Sequence, residues 1–246
     1  MTADYDETIR KLRDLRLGVM ADAFTAQLAG GAADDAFAAR FGQLVDEQWE
    51  ARESSRFARR LKAANLKLDA SIEGIDFTIP RGLHRFEILG LADLGFVAEK
   101  RNLIITGPTG VGKTYLACAF ARRACERGYT AAYRRTPRLV SELAESRADG
   151  TYLDTIARLA KIDVLILDDW GLSPLDDGAA SDVMDVIDDR TGVRSIIISS
   201  QLPVSRWHGE IADPSIADAL LDRLVHRSER VEMTGHSMRR ETQPEG

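Results

Sequence analysis

The run Gly107-Pro108-Thr109-Gly110-Val111-Gly112-Lys113-Thr114 constrains this chain more than any other segment. It matches G-x-x-x-x-G-K-[ST] in full, with an apolar run before it and an amphipathic run after it. Glycines let such a loop turn tightly and keep its backbone N–H groups uncovered. The N-terminus of the helix that follows adds partial positive charge at the same point. The pattern predicts a phosphate cradle on a strand–loop–helix unit. Lys113 reaches the outer phosphates of ATP, and the Thr114 hydroxyl ligates Mg2+. A chance glycine turn would not bring the lysine, the hydroxyl and both flanking elements together. The predicted nucleotide-binding set is Gly107, Pro108, Thr109, Gly110, Val111, Gly112, Lys113, Thr114 and Tyr115.

The rest of the chain supplies a matching architecture. Asn102–Thr106, Thr130–Arg134, Val164–Leu167, Arg194–Ser199 and Glu229–Met233 read as strands. Helical periodicity covers Lys113–Arg127, Pro137–Arg147, Thr151–Ala160, Gly178–Arg190 and Pro214–Arg227, with Gly128 and Gly192 as stops. Such alternation predicts a parallel sheet with helices on both faces. Residues 1–67 read as helical in two runs separated by Gly30-Gly31. The first carries Leu12, Leu15, Val19, Met20, Phe24 and Leu28. Ser71–Gly82 reads as an irregular linker and residues 83–100 as helix again. The expected fold is therefore α/β, with a small helical N-terminal domain (1–70) ahead of a P-loop ATPase domain (71–246).

The strand Val164–Leu167 ends in Asp168-Asp169, and ligands of open parallel sheets sit outside that strand end. Asp168 is the candidate Mg2+ holder. Pleat alternation points Asp169 away from it, towards a water that attacks the γ-phosphate. Gln201 or Ser200, ending the next strand, is a candidate for positioning that water. Arg223, in the amphipathic run Ala219–Val225, is a candidate arginine finger, although most helix arginines are merely solvated.

The net charge of −6 excludes a uniformly basic surface but not a local patch. Residues 51–67 hold Arg52, Arg56, Arg59, Arg60, Lys62 and Lys67 against Glu53 alone. Arg52, Arg56, Arg59 or Arg60, and Lys67 fit one helix face. A second cluster holds Arg134, Arg135 and Arg138 at a strand end. Both are candidate phosphate contacts for double-stranded DNA, weighed against plain solvated faces. Cys118 and Cys125 lie seven residues apart on one helix, about 10 Å of rise, too far for a disulfide. The histidines form no metal pattern, and Trp49, Trp170 and Trp207 read as packing residues. No apolar run is long enough to span a membrane, and the N-terminus lacks an apolar signal core, so a cytoplasmic location is expected.

With these residues in view, the chain resembles the IstB-like ATPases. These are ATP-binding helpers of a bacterial insertion-sequence transposition system, within the AAA+ superfamily and close to bacterial helicase loaders. The resemblance rests on Leu15–Ala21, Trp49–Glu53, Ile105–Thr114 and Leu167-Asp168-Asp169-Trp170-Gly171-Leu172. It continues through Ser199-Ser200-Gln201-Leu202-Pro203-Val204 with Trp207-His208, then Asp213-Pro214 with Ala219–His226, and Gly235–Arg239. It implies an AAA+ ATPase that self-assembles on DNA as a homo-oligomer and acts with a cognate transposase, its hydrolysis stimulated by DNA and by assembly. It also implies that Arg223 is an arginine finger, that Gln201 takes the sensor position where many relatives have Asn, and that Arg239 matches a C-terminal sensor. Asp169 stands where many relatives have a catalytic Glu. A helicase loader acting in replication is the near rival. A small-molecule kinase is disfavoured, because Asp169–Asp177 is too short for a lid. A non-hydrolysing scaffold is the remaining alternative.

Overall fold

The computed structural model of this chain describes residues 5–29 and 37–238. The chain divides into two compact units, Met1–Arg59 and Arg60–Gly246, and the division falls inside one long helix.

The first unit is built from α1 (Tyr5–Asp14), α2 (Gly18–Ala29) and the start of α3 (Phe37–Ala64). The periodicity of residues 12–28 reads as one run, yet the backbone makes two helices. Arg16 adopts φ 58°, Arg16 N–H bonds to Arg13 O and Leu17 N–H reaches back to Leu12 O, a closure that ends α1. Ala21 and Leu44 are buried, Tyr5 meets Phe24 edge-on, and Met20 N–H donates to Gln48 Oε1 at 3.2 Å. Trp49 does not pack as its sequence suggests. It is 63% exposed, because α3 turns that face outward.

In the second unit, α4 (Arg85–Ala92) and α5 (Gly95–Ala98) replace the single helix expected over 83–100, since Leu94 at φ 63° breaks it. Alternation then follows as the sequence predicts: β1 (Asn102–Thr106), α6 (Lys113–Glu126), β2 (Ala131–Arg135), α7 (Thr136–Ala148), α8 (Tyr152–Ala160) and β3 (Val164–Trp170). After these come α9 (Asp177–Asp188), β4 (Ser195–Ser200), a 3-10 turn at Val204–Glu210, α10 (Pro214–Val225) and β5 (Ser228–Glu232). Local chemistry sets the ends. Gly128, at φ 93°, closes α6, while Asp176 and Asp213 accept N–H bonds as caps of α9 and α10.

The strands pair in parallel in the order β2-β3-β4-β1-β5. Leu165 and Leu167 of β3 and Ile196 and Ile198 of β4 share one cluster with Leu139, Leu143, Val183 and Leu220. The alternate positions Ile166 and Ile197 are also fully buried, so both sheet faces are covered. Trp170 and Trp207 pack together at 5.6 Å. Cys118 and Cys125 are free and buried, and burial raises both thiol pKa values, that of Cys125 to about 11.

Two buried polar side chains tie the edge away from the P-loop. Arg190 donates to the carbonyls of Leu159, Asp163 and Ser195, and its burial lowers its pKa to about 10. Asn102 accepts from Ile196 N–H at 3.0 Å and donates to the carbonyls of Arg223 and Leu224. At the opposite edge, β1, β3 and β4 end side by side. The chain leaves β1 for β2, beyond both β4 and β3, which opens a crevice there.

Candidate active site

The loop between β1 and α6 forms because two of its glycines do what other residues cannot. Gly107 has φ 149°, and a Cβ there would strike the Met233 carbonyl oxygen. Gly112 caps α6 at φ 106°, where a Cβ would stand 3.0 Å from Arg81 Nη1. Lys113 is 8% exposed, and its Nζ donates to the carbonyls of Gly107 and Pro108, each at 2.7 Å. The ammonium thus lies inside the loop curve, where a phosphate would offer it stronger, charged acceptors.

Thr114 Oγ1 lies 3.2 and 3.0 Å from the two Asp168 oxygens. Asp168 is 1% exposed at the end of β3. Ser199 Oγ of β4 donates to its Oδ1 and Tyr133 Oη of β2 to its Oδ2, both at 2.6 Å. Burial, then the bond to Asp168, push the Tyr133 pKa well above the ordinary tyrosine range, so the phenol is a fixed neutral donor. Lys67 Nζ stands 4.0 Å from Asp168 Oδ2. Among the described residues no group of three or more His, Cys, Asp or Glu could hold a metal ion. The site therefore fits Mg2+ in one particular way. Thr114 and Asp168 would hold it with hard oxygens, leaving phosphate and water to complete its shell, the usual division for this ion.

Asp169 departs from simple pleat alternation. The β3–β4 pairing shifts register between Leu167 and Trp170, and Asp169 takes φ 58° within that shift. Its Oδ2 accepts from Arg135 Nε at 2.7 Å. Arg135, assigned from sequence to a DNA-facing cluster, is thereby joined to the residue assigned to the attacking water. Of the two candidates at the end of β4, Ser200 is fully buried and spends its hydroxyl on the Trp170 carbonyl. Gln201 is exposed, and its Oε1 accepts from Thr109 Oγ1 at 2.6 Å, next to the loop. Tyr115 lies against the linker, its hydroxyl 3.4 Å from Ser71 O.

Arg223 is not brought to this edge. Its Nε pairs with Asp188 of α9, and Nη1 donates to Ala219 O at 3.0 Å. Arg239 lies outside the described residues. In the first basic cluster, Arg56 pairs with Glu53 at 2.6 Å, Arg52 donates to Arg16 O, and Arg60 Nε donates to Cys125 O at 2.9 Å. Lys67 does not share a helix face with them, because α3 ends at Ala64 and Asn65, at φ 48°, turns the chain. In the second cluster, Arg134 pairs with Glu142 at 3.0 Å and Arg135 with Asp169, while Arg138 is exposed.

Sequence reasoning places the end of β4, Ser199 to Gln201, beside Asp168 but gives Ser199 no role; it assigns Lys67 to a basic helix face and misses Tyr133. Tyr133 precedes Arg135 by two, so one pleat face of β2 carries both. Knowing that β2 adjoins β3 would have exposed that signal.

Comparisons with known proteins identify the family and the fold. The profile of the family described as IstB-like ATP binding protein matches residues 10–246. A putative insertion sequence ATP-binding protein of Sinorhizobium fredii is 42% identical over 234 residues, covering 95% of this chain and 96% of that protein. The putative ATP-binding protein of insertion sequence IS1162 from Pseudomonas fluorescens is 45% identical over 200 residues, 80% of this chain and 87% of its own length. In fold, the chain is similar to the crystal structure of DnaI, with a TM-score of 0.59, 23% identity, and coverage of 68% of this chain and 92% of that one. The DnaC helicase loader superposes with a TM-score of 0.55 at 19% identity, over 67% of this chain and 97% of its own. The fold is that of P-loop AAA+ proteins. With a family profile spanning nearly its whole length and relatives of matching size, this chain belongs to the IstB-like ATP-binding protein family.

Proposed function

We propose that this protein is a Mg2+-dependent ATPase that assembles with copies of itself on double-stranded DNA and assists the transposase of its insertion sequence. The observation that carries the reading is the meeting of Lys113, Thr114 and Asp168 at one sheet edge, with the Thr114 hydroxyl 3.0 Å from the carboxylate. The loop N–H groups and Lys113 bind and orient the phosphates. Thr114 and Asp168 would hold Mg2+, which when bound neutralises charge developing on the phosphate oxygens. Asp169 accepts a proton from the attacking water once it is released from Arg135, and Gln201 orients that water from beside Thr109. Arg223 of a second copy supplies the remaining positive charge. Relatives named as insertion-sequence proteins favour transposition over helicase loading, since the likeness to DnaI and DnaC speaks for fold alone.

Steady-state hydrolysis with and without duplex DNA tests the enzymatic half. Activity that needs Mg2+ and rises with DNA is expected, and its absence under every condition leaves a scaffold. Integration assays with a cognate insertion-sequence transposase test the other half. Full integration without this protein would remove the helper role.

A further inference from the structure

Asp168 is a nearly inaccessible carboxylate whose three hydroxyl partners, from Thr114, Tyr133 and Ser199, are all neutral. A carboxylate taken out of water needs partners that replace its hydration. Arg135 lies within electrostatic reach of Asp168, and Lys67 pairs with it, Nζ 4.0 Å from Oδ2. That is too long for a hydrogen bond and short enough for strong attraction.

The backbone fixes this approach. After α3 the chain turns at Asn65 and runs along α6, the helix that begins at the phosphate loop. The backbone of Lys67 and Leu68 lies by the thiol of Cys118, one helical turn beyond Thr114, and partly offsets the rise that burial gives its pKa. Asp69 pairs with Arg122 of α6 at 2.5 Å, and Ala70 is 2% exposed. The main chain of Lys67 is thus pinned, whereas its side chain is 41% exposed and swings on a four-carbon stem.

We propose that Lys67 is the stand-in counter-ion of the divalent-cation site: its ammonium offsets the Asp168 charge while the metal is absent, and withdraws when the metal arrives. This rests on reading Gly107–Thr114 with Asp168 as an ATP–Mg2+ site. Lys67 lies against the carboxylate by which the metal would be held, and two cations cannot crowd that group without strong repulsion. Metal entry therefore exchanges one counter-ion for another and moves a side chain of the segment that joins α3 to the sheet.

The test titrates free Mg2+, buffered by chelator, against the full-length protein holding a fluorescent, slowly hydrolysed ATP analogue, and reads anisotropy. Lys67→Gln keeps the stem and removes the charge, so half-maximal binding should come at about tenfold lower free Mg2+, the scale of one broken ion pair at a mostly buried carboxylate. Lys67→Arg should keep the wild-type midpoint. A second readout uses nucleotide-free protein. Millimolar MgCl2 should raise the melting temperature of Lys67→Gln above that in NaCl of equal ionic strength, and raise the wild type less. Unchanged Mg2+ midpoints in Lys67→Gln would overturn the proposal. So would a drop in nucleotide affinity by the same factor at every Mg2+ level, which would make Lys67 a plain phosphate ligand. Failure of the underlying site reading looks different. Wild type would then bind no analogue in saturating Mg2+, or Lys113→Ala would bind it as well as wild type does.

Discussion

Arg135 Nε donates to Asp169 Oδ2 at 2.7 Å, so the end of β2 holds the residue placed nearest the hydrolytic water. Arg135 is half exposed, and Asp169 is held in a left-handed conformation inside a register shift. The guanidinium occupies the carboxylate oxygen that would otherwise be free to meet the water. Arg135→Ala should therefore raise hydrolysis in the absence of DNA a few-fold and reduce the further gain on adding DNA. Phosphate-release assays at matched nucleotide occupancy check this. A fall in DNA-free hydrolysis would mean that Arg135 orients Asp169 productively.

Tyr133→Phe deletes one of three hydroxyl donors to a carboxylate that stays buried. The expected loss is about 1–2 kcal/mol, read as a melting temperature lower by roughly 3–6 °C for a domain of this size. The variant also has a pH signature. Because the folded pKa of Tyr133 is raised, the native state keeps this proton where the unfolded chain releases it. Its contribution is complete below about pH 10, the ordinary tyrosine value, and fades as pH climbs further towards the folded value. Urea melts at pH 8 and pH 10.5 should show wild type losing more stability than Tyr133→Phe between them.

Arg223 must leave Asp188 if it is to serve another copy. The pair is partly exposed, so breaking it should cost well under about 1 kcal/mol. Asp188→Ala should melt close to wild type and hydrolyse ATP faster at low protein concentration. Arg223→Ala should bind nucleotide normally and lose roughly 10³-fold or more in turnover. Mixing Arg223→Ala with Lys113→Ala should recover part of the activity, since one chain brings the loop and the other the arginine. No recovery, with assembly intact, would confine Arg223 to its own chain.

The basic residues separate by their partners. Arg134 is bound to Glu142 and to its neighbour's carbonyl, and Arg60 to Cys125 O, so reversing their charge strains the fold. Arg56 and Arg59 are exposed on α3, and the pair that Arg56 makes with Glu53 lies on the helix's own surface. Arg56→Glu with Arg59→Glu should weaken duplex binding equally for unrelated sequences. The log–log salt slope should flatten by about 0.9 for each DNA phosphate that is no longer neutralised. Binding isotherms at several salt concentrations decide it, and an unchanged slope would make the two arginines a solvated surface.

The phosphate loop and the two aspartates were legible because each lies within a few residues of its own strand, where spacing alone fixes position. Tyr133 was not, because it reaches Asp168 only through the pairing of β2 with β3, which no local pattern states; Ser199 lies on the segment expected beside Asp168, but its hydrogen bond has no sequence signal. Lys67 escaped for a related reason. Helical periodicity carried the reading past Ala64, whereas the turn at Asn65 sends the chain along α6. The orientation of Asp169 was argued from an even pleat, and the strand is uneven at that residue. Trp49 shows the limit of residue type as a guide, since a large apolar ring was expected inside and stands outside.

Asn102 opens β1 by holding the carbonyls of Arg223 and Leu224, and Thr106 closes the same strand one residue before the loop. Four steps of extended chain, about 13 Å, thus separate the anchorage of the arginine from the cradle. If Arg223 reaches into a neighbour, every copy is a link whose hook and eye are forged on one short rod. The distance between hook and eye within each link would then be set by one extended strand and two hydrogen bonds, the same in every copy whatever the length of the DNA.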